Sequence, residues 1–409
     1  GDDYPVLQFI LDSVVKTANT TPGLEAAALT QIKIYSPPGK VYKTTLPLFL
    51  GTETADPDWI FGLTIEFNGS TIRCYSATAT DHALTIAKAN RLTNDNITII
   101  GETCKGLKLN TIGRGFLGDI SATSKVSSGL TLRGFLYNTN IGALSIGGTT
   151  GFSGGTGPAL DADFTAEPFL AFFGGARIVK IDGLYITGMG QPVLWKGNPT
   201  FDALDDLSAN VTIENIDWEI NTSATIASFE NVKRFRIGNL WNEGAAVGAG
   251  VNSVLHLINT RHFIVENSYN GSRWHKIQLE ETNFTTLREI EGGSIVLTGT
   301  NDHLLCDNNT PDLNATRELF KNLTGGSSPY YTALTNFEFR NMAPVSISTG
   351  NEINTIGLMK SVDFIDNKHV KDPTGQTLTS PLRFTQPTLG TGISPLGYAV
   401  TETTVTSSG

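Results

Sequence analysis

The chain is poor in the residues that most often announce a chemical site. Its 409 residues include three cysteines, Cys74, Cys104 and Cys306, with six histidines and three methionines. The cysteines are odd in number and scattered, which argues against a disulfide framework or a metal knuckle and for reduced, buried thiols. The histidines show no zinc spacing, so no metal and no cofactor is expected. Charged residues make up only 17% of the chain, and the net charge is −10. A surface of that sign does not suit nucleic acid or an anionic membrane, since phosphate binding needs a basic face. No run approaches the ~18 apolar residues of a membrane span, and residues 1–20 lack the charged-then-apolar pattern of a secretion signal. The glycine-rich "GGTTGFSGGTG" (147–157) carries no Walker lysine, which removes a phosphate cradle. The acids of "DADF" (Asp161, Asp163) and "FDALDDL" (Asp202, Asp205, Asp206) lack an EF-hand pattern and read as ordinary loop acids.

What is present points to β structure with many corners: 39% hydrophobic residues and 43 glycines in a chain rich in Asn and Thr. Asn-x-Ser/Thr sequons at Asn68, Asn96, Asn210, Asn283 and Asn322 arise by chance in such a chain, the alternative being glycosylation. At the start, "DDYPVLQFILDSVV" sets Val6, Leu7, Ile10, Leu11, Val14 and Val15 at helical spacing behind Asp2 and Asp3, with Pro5 in the first turn. This predicts an amphipathic helix of about three turns. In "IKIYSPPGKVYKTTLPLFL", alternating Ile32 and Ile34, a Pro37-Pro38-Gly39 turn and Val41 predict two short strands, so residues 1–50 read as a cap.

From about residue 92, strand-like runs recur: "ARIVKIDGLYI", "ANVTIENIDWEI", "ENVKRFRIGNLWNE", "NTRHFIVENSYNG", "TNFEFRNM" and "KSVDFIDN". Phe235 to Phe263 is 28 residues, Asn215 to Asn239 is 24, and Phe337 to Phe364 is 27. Such a period means a solenoid, and two or three short strands per turn with Asn and Gly bends describe a right-handed parallel β-helix. A propeller or sandwich is the runner-up. The β-helix is expected over 51–370 with a loop-rich excursion at about 118–175. Residues 371–409 are expected as an extended tail in contact with neighbouring chains.

Asp2-Asp3 leading into a helix with Leu7-Gln8, followed by Pro38-Gly39-Lys40-Val41-Tyr42 and Asn-cornered rungs, resembles the pectate-lyase-like β-helix of bacteriophage tailspike depolymerases. The specific motifs cover residues 2–50. The resemblance implies a homotrimer on a virion tail that acts outside the cell, binding and usually cleaving a bacterial surface polysaccharide. It identifies no catalytic residue. The aspartate pair and Arg-Ile-Lys motif of plant-type polygalacturonases are missing, so pectin is not the expected substrate.

Aligning rungs by inward residues gives outward rows. Stacking Ile213, Phe235 and Phe263 sets Glu214 beside Arg236 and Arg234 beside His262. After corners at Asn215, Asn239 and Asn267, Asp217, Trp241 and Tyr269 share a row, with Glu219 and Glu243 in the next. Glycoside hydrolysis needs two carboxyl groups, ~5–5.5 Å apart for retention or ~6.5–9.5 Å for inversion, and adjacent rungs start near 5 Å. Glu219 and Glu243, with Asp217, are therefore the favoured catalytic acids, against a reading of them as solvated surface acids. In "NGSRWHKIQLEETN" (270–283), inward Ile277 and Leu279 put Trp274, Lys276, Gln278 and Glu280 on one outward row. Trp241, Tyr269, Trp274, Arg273, Arg236, His262 and Glu280 are candidate sugar contacts. The second chemistry is β-elimination on a uronate, with Arg273 to neutralise the carboxylate and Tyr269, His275 or Lys276 as base. A non-catalytic adhesin and a structural solenoid with a protein partner are the other classes.

Overall fold

The computed structural model describes residues 1–20, 32–53, 59–147, 157–165, 175–187, 191–199, 210–219, 225–242, 253–270, 276–290, 294–298, 301–307, 320–322, 334–340, 353–354, 359–365 and 384–385. The first element is a helix, α1, Tyr4–Thr20. Asp2 caps it by accepting from Tyr4 N at 3.1 Å, and the same carboxylate accepts from Thr45 Oγ1 at 2.5 Å. These hydrogen bonds hold the Asp2 carboxyl below its usual range, the one from Thr45 contributing most. Leu7, Leu11, Val14 and Val15 pack on the core. Gln8 closes the docking: its amide donates to Phe49 O and accepts from Phe49 N, both at 2.9 Å. The Leu-Gln pair of the sequence thus joins helix to strand, one residue by burial and one by hydrogen bonds.

Beyond α1 the described residues form an all-β, right-handed parallel β-helix. Every described strand pairing is parallel, from Ile32–Tyr35 on Leu63–Glu66 to Ile353–Asn354 on Phe384–Thr385. A representative turn starts with Thr225–Glu230, bends at Asn231, and continues as Lys233–Asn242, which bends again at Asn239. We call these sides the first wall (225–230), second wall (235–238) and third wall (240–242). Side chains alternate, so each wall sends every second residue inward to stack on its counterpart in the next rung. Trp195, Phe229, Phe235 and Phe263 fill the middle of the solenoid. Trp195 meets Phe235 edge-on at 5.3 Å, and Phe235 lies flat on Phe263 at 5.1 Å. All four are fully buried, and truncating one such ring costs roughly 3–5 kcal/mol.

Several expectations change. Val211, not Ile213, stacks on Phe235, while Ile213 faces Ile237. Between these two strands every pair is 24 residues apart, as Asn215 opposite Asn239 requires. Aligning Ile213 with Phe235 shortens that separation by two, an error that preserves inside and outside and so leaves the alternation undisturbed. Within 118–175, Ile120–Ser124, Leu130–Gly147 and Pro158–Asp163 all pair in parallel with neighbouring rungs, and 148–156 and 166–174 lie outside the described residues. The 18-residue strand Leu130–Gly147 runs along all three walls and ends where the Gly-rich run begins. Asp161 and Asp163 belong to a strand rather than a loop. Parallel pairing also starts at Ile32, inside the segment expected as a separate cap. In the expected tail, Phe384–Thr385 pairs with Ile353–Asn354, and the rest of 371–409 lies outside the described residues.

Candidate functional site

Two corner columns fix what each wall presents. Between the second and third walls, Asn239 Nδ2 donates to Asn215 Oδ1 at 2.8 Å, and Asn267 Nδ2 to Asn239 Oδ1 at 3.2 Å. Asn215 Nδ2 ends the ladder on Asp182 O at 2.9 Å. Between the first and second walls the chain turns through a left-handed residue on most rungs: Gly62, Arg91, Arg114, Asn138, Ile178, Arg234, His262, Phe284 and His303 all have positive φ. Side chains other than Gly or Asn cost of order 1–3 kcal/mol there. On the later rungs ring stacking offsets part of that cost, His262 on Phe284 at 4.6 Å and Phe284 on His303 at 4.2 Å.

The Asn ladder sets the third wall in register, and one row of positions reads Tyr185, Asp217, Trp241, Tyr269 on four successive rungs. Tyr185 and Trp241 are each 43% exposed, and Asp217 between them is partly buried. Gly183 makes room for the tyrosine, because a Cβ there would come within 2.8 Å of the Tyr185 ring. The row brings a carboxylate between two aromatic groups whose carbon surface is open to solvent, an arrangement that can stack a sugar and bond its hydroxyls. Glu219 closes the strand Val211–Glu219 opposite Thr187. Its side chain, like that of Tyr269, is not described, and Glu243 lies outside the described residues, as do Arg273, Trp274 and His275. Lys276 opens the strand Lys276–Glu280, in which Ile277 and Leu279 point inward as expected.

The remaining candidates stand elsewhere. Arg236 is on the second wall, row-paired with Thr212 rather than beside Glu214. It reaches Glu214 diagonally at 2.9 Å and Glu266 on the next rung at 2.9 Å, and Arg288 joins Glu266 at 2.9 Å. Those two carboxylates raise the Arg236 pKa, and the guanidinium is occupied in a charge ladder. His262 is in the left-handed corner, where burial and the neighbouring Arg234, Lys233 and Arg261 lower its pKa. Glu280 is on the first wall, where it pairs with His256 at 3.0 Å. The structure therefore gathers Asp217, Trp241 and Tyr269 in one row with Glu219 on the same wall, and leaves Arg236, His262 and Glu280 outside it.

A polar cluster that the sequence reading missed covers the early rungs of the first wall. Glu53 pairs with Lys108 at 2.6 Å and accepts from Asn110 Nδ2 at 2.8 Å. Arg133 pairs with Asp161 at 2.6 Å and donates to its backbone carbonyl at 2.8 Å. His82 Nε2 bonds Thr131 Oγ1 at 3.0 Å. Burial, with Lys105, Lys108 and Arg133 nearby, pushes the imidazole down to about 3. Counting rungs from His82 instead of residue 92 would have aligned these residues. Among the described residues no group of three or more His, Cys, Asp or Glu is placed to hold a metal ion.

No family model matches the chain, and no curated protein does. Among solved structures it is similar to the Streptococcus pneumoniae surface protein and adhesin PfbA, at 12% identity and a TM-score of 0.31, over 89% of this chain and 96% of that one. So loose a superposition defines no residue correspondence.

Proposed function

We propose that the protein binds a bacterial surface polysaccharide along its third wall and cleaves it there by glycoside hydrolysis. The observation that carries the reading is the row Tyr185, Asp217, Trp241, in which two half-exposed rings flank a carboxylate, with Tyr269 next in register. Rungs ~4.8 Å apart put each ring within a sugar's length of the next, so one chain of the glycan can lie along the solenoid axis. Asp217 and Glu219 supply acids from one strand, and Glu243 is the partner that the 24-residue rung of the sequence assigns to Glu219. Two such acids differ in pKa because like charges oppose double ionisation, leaving one to protonate the leaving oxygen. Arg236 and Arg288, occupied by Glu214 and Glu266, are assigned to wall stability and not to substrate.

In this reading the chain acts outside the cell as one subunit of a homotrimer, the phage-tail setting implied by the resemblance over residues 2–50. Val6, Phe9 and Ile10 on the outer side of α1 supply exposed apolar surface for such an assembly. Light scattering of the purified chain should give three times its monomer mass.

The test is mass spectrometry of products from a panel of purified capsular polysaccharides. Fragments at the full hydrated repeat mass, lost in Asp217→Asn or Glu219→Gln, support hydrolysis. Fragments lighter by one water with ultraviolet absorbance replace it with β-elimination and move the chemistry to Arg273, His275 and Lys276. A glycan that binds, needs Trp241 and is never cut makes the protein an adhesin.

A further inference from the structure

We propose that Cys74 and Cys104 form a dithiol pair that closes into a disulfide between consecutive rungs when the folded protein meets a small disulfide oxidant. They are 30 residues apart in sequence, about one turn of the solenoid. Cys74 ends the strand Thr71–Cys74 opposite Gly101, and the turn after Gly101 carries Cys104 back over it. Three bonds hold this geometry: Glu102 N donates to Cys74 O at 2.9 Å, Thr103 Oγ1 to Ser76 O at 2.6 Å, and Ser124 Oγ to Cys104 O at 2.8 Å. The Cys104 sulfur lies 3.9 Å from the Cys74 carbonyl oxygen. Both thiols are fully buried and free.

The pair is chemically unequal. Hydrogen bonding from Cys104 lowers the Cys74 thiol pKa, and the same contact raises that of Cys104. Cys74 is therefore the attacking thiolate and Cys104 the thiol that resolves. Access runs through thin cover. Cys74 is followed by the exposed residues Tyr75 and 77–80, and Cys104 is preceded by the exposed Thr103, so opening one surface turn uncovers a sulfur without disturbing the aromatic core.

With glutathione disulfide as oxidant, the Cys74 thiolate attacks one sulfur, forming a mixed disulfide and releasing glutathione thiolate. Cys104 gives its proton to solvent and displaces the second glutathione. The protein loses two hydrogens and gains one S–S bond, and the oxidant becomes two thiols. Cys306 is fully buried on a distant rung, where burial alone raises its pKa, and it serves as the internal control.

The experiment incubates the folded full chain with glutathione disulfide, quenches with acid, unfolds, alkylates and maps tryptic peptides without reduction. The expected result is a linked pair of the peptides 74–88 and 92–105, with Cys306 alone alkylated. All three cysteines alkylated, or Cys306 in the link, overturns the proposal. Cys104→Ala should instead hold glutathione on Cys74, and an unmodified Cys74 in that variant also counts against it. The wild-type map needs no variant to fold, and its result is independent of whether the third wall binds glycan.

Discussion

The early rungs of the first wall and the later rungs of the third wall are outward faces of one solenoid, yet they treat polar groups in opposite ways. On the first wall, Glu53 pairs with Lys108, Arg133 with the buried Asp161, and half-buried His82 bonds Thr131 and is held neutral. On the third wall, Tyr185 and Trp241 leave nearly half their surface in water beside Asp217. Buried polar groups must find partners or lose their solvation energy, whereas an exposed ring keeps its face available for a ligand. A saturated network therefore reads as structure and an open aromatic row as recognition. The second wall lies between these cases, exposed but paired, its Arg236 held by Glu214 and Glu266.

The contrast can be broken from either side. The largest effect expected is on catalysis: Glu219→Gln should lower the rate of oligosaccharide release by roughly 10²–10⁴-fold. Glycan affinity and melting temperature should hold, and unchanged turnover in a reducing-end assay would remove Glu219 from the reaction.

The next is a pH effect on the closed face. The His82 pKa is about 3 in the fold against 6.5 ordinarily, so the unfolded chain binds the extra proton between those values and stability falls as the pH drops through that window. The loss amounts to a few kcal/mol at most, on the order of 1.4 kcal/mol per pH unit. Denaturant titrations at pH 7, 5.5 and 4 should show it, and His82→Asn should flatten the slope. An equal slope in the variant would show that His82 takes up no extra proton on unfolding.

On the open face, Trp241→Ala should weaken glycan binding about tenfold, or ~1.4 kcal/mol, with little change in melting temperature. Calorimetry and thermal unfolding on the same preparation separate the two. Arg236→Met should be smallest, costing about 1 kcal/mol or less, because exposed ion pairs contribute little and salt screens them. Affinity for the glycan should not move, and a large affinity loss would return Arg236 to the binding surface.

Much of the architecture was legible in sequence because it rests on local alternation. Ile277 and Leu279 point inward, Asp217, Trp241 and Tyr269 share a row, and α1 forms behind its acidic start, all as spacing predicts. Asn215, Asn239 and Asn267 announced their own corner, since an amide ladder needs Asn on each rung. The left-handed corner gave no such signal: Arg234, His262 and Phe284 occupy positions where Gly or Asn would be expected. Rung stacking enforces a backbone that their own preferences oppose.

What the sequence determined by itself was therefore the β-helix, its inside and outside, and the approximate length of a turn. Each follows from a period of two along strands and of about two dozen residues between Asn corners. Tertiary structure alone decided which residues meet across rungs: Val211 rather than Ile213 on Phe235, Cys74 under Cys104, Arg133 on Asp161. Meeting depends on the summed lengths of every loop in the turn, and a shift of two residues changes partners while leaving the alternation intact.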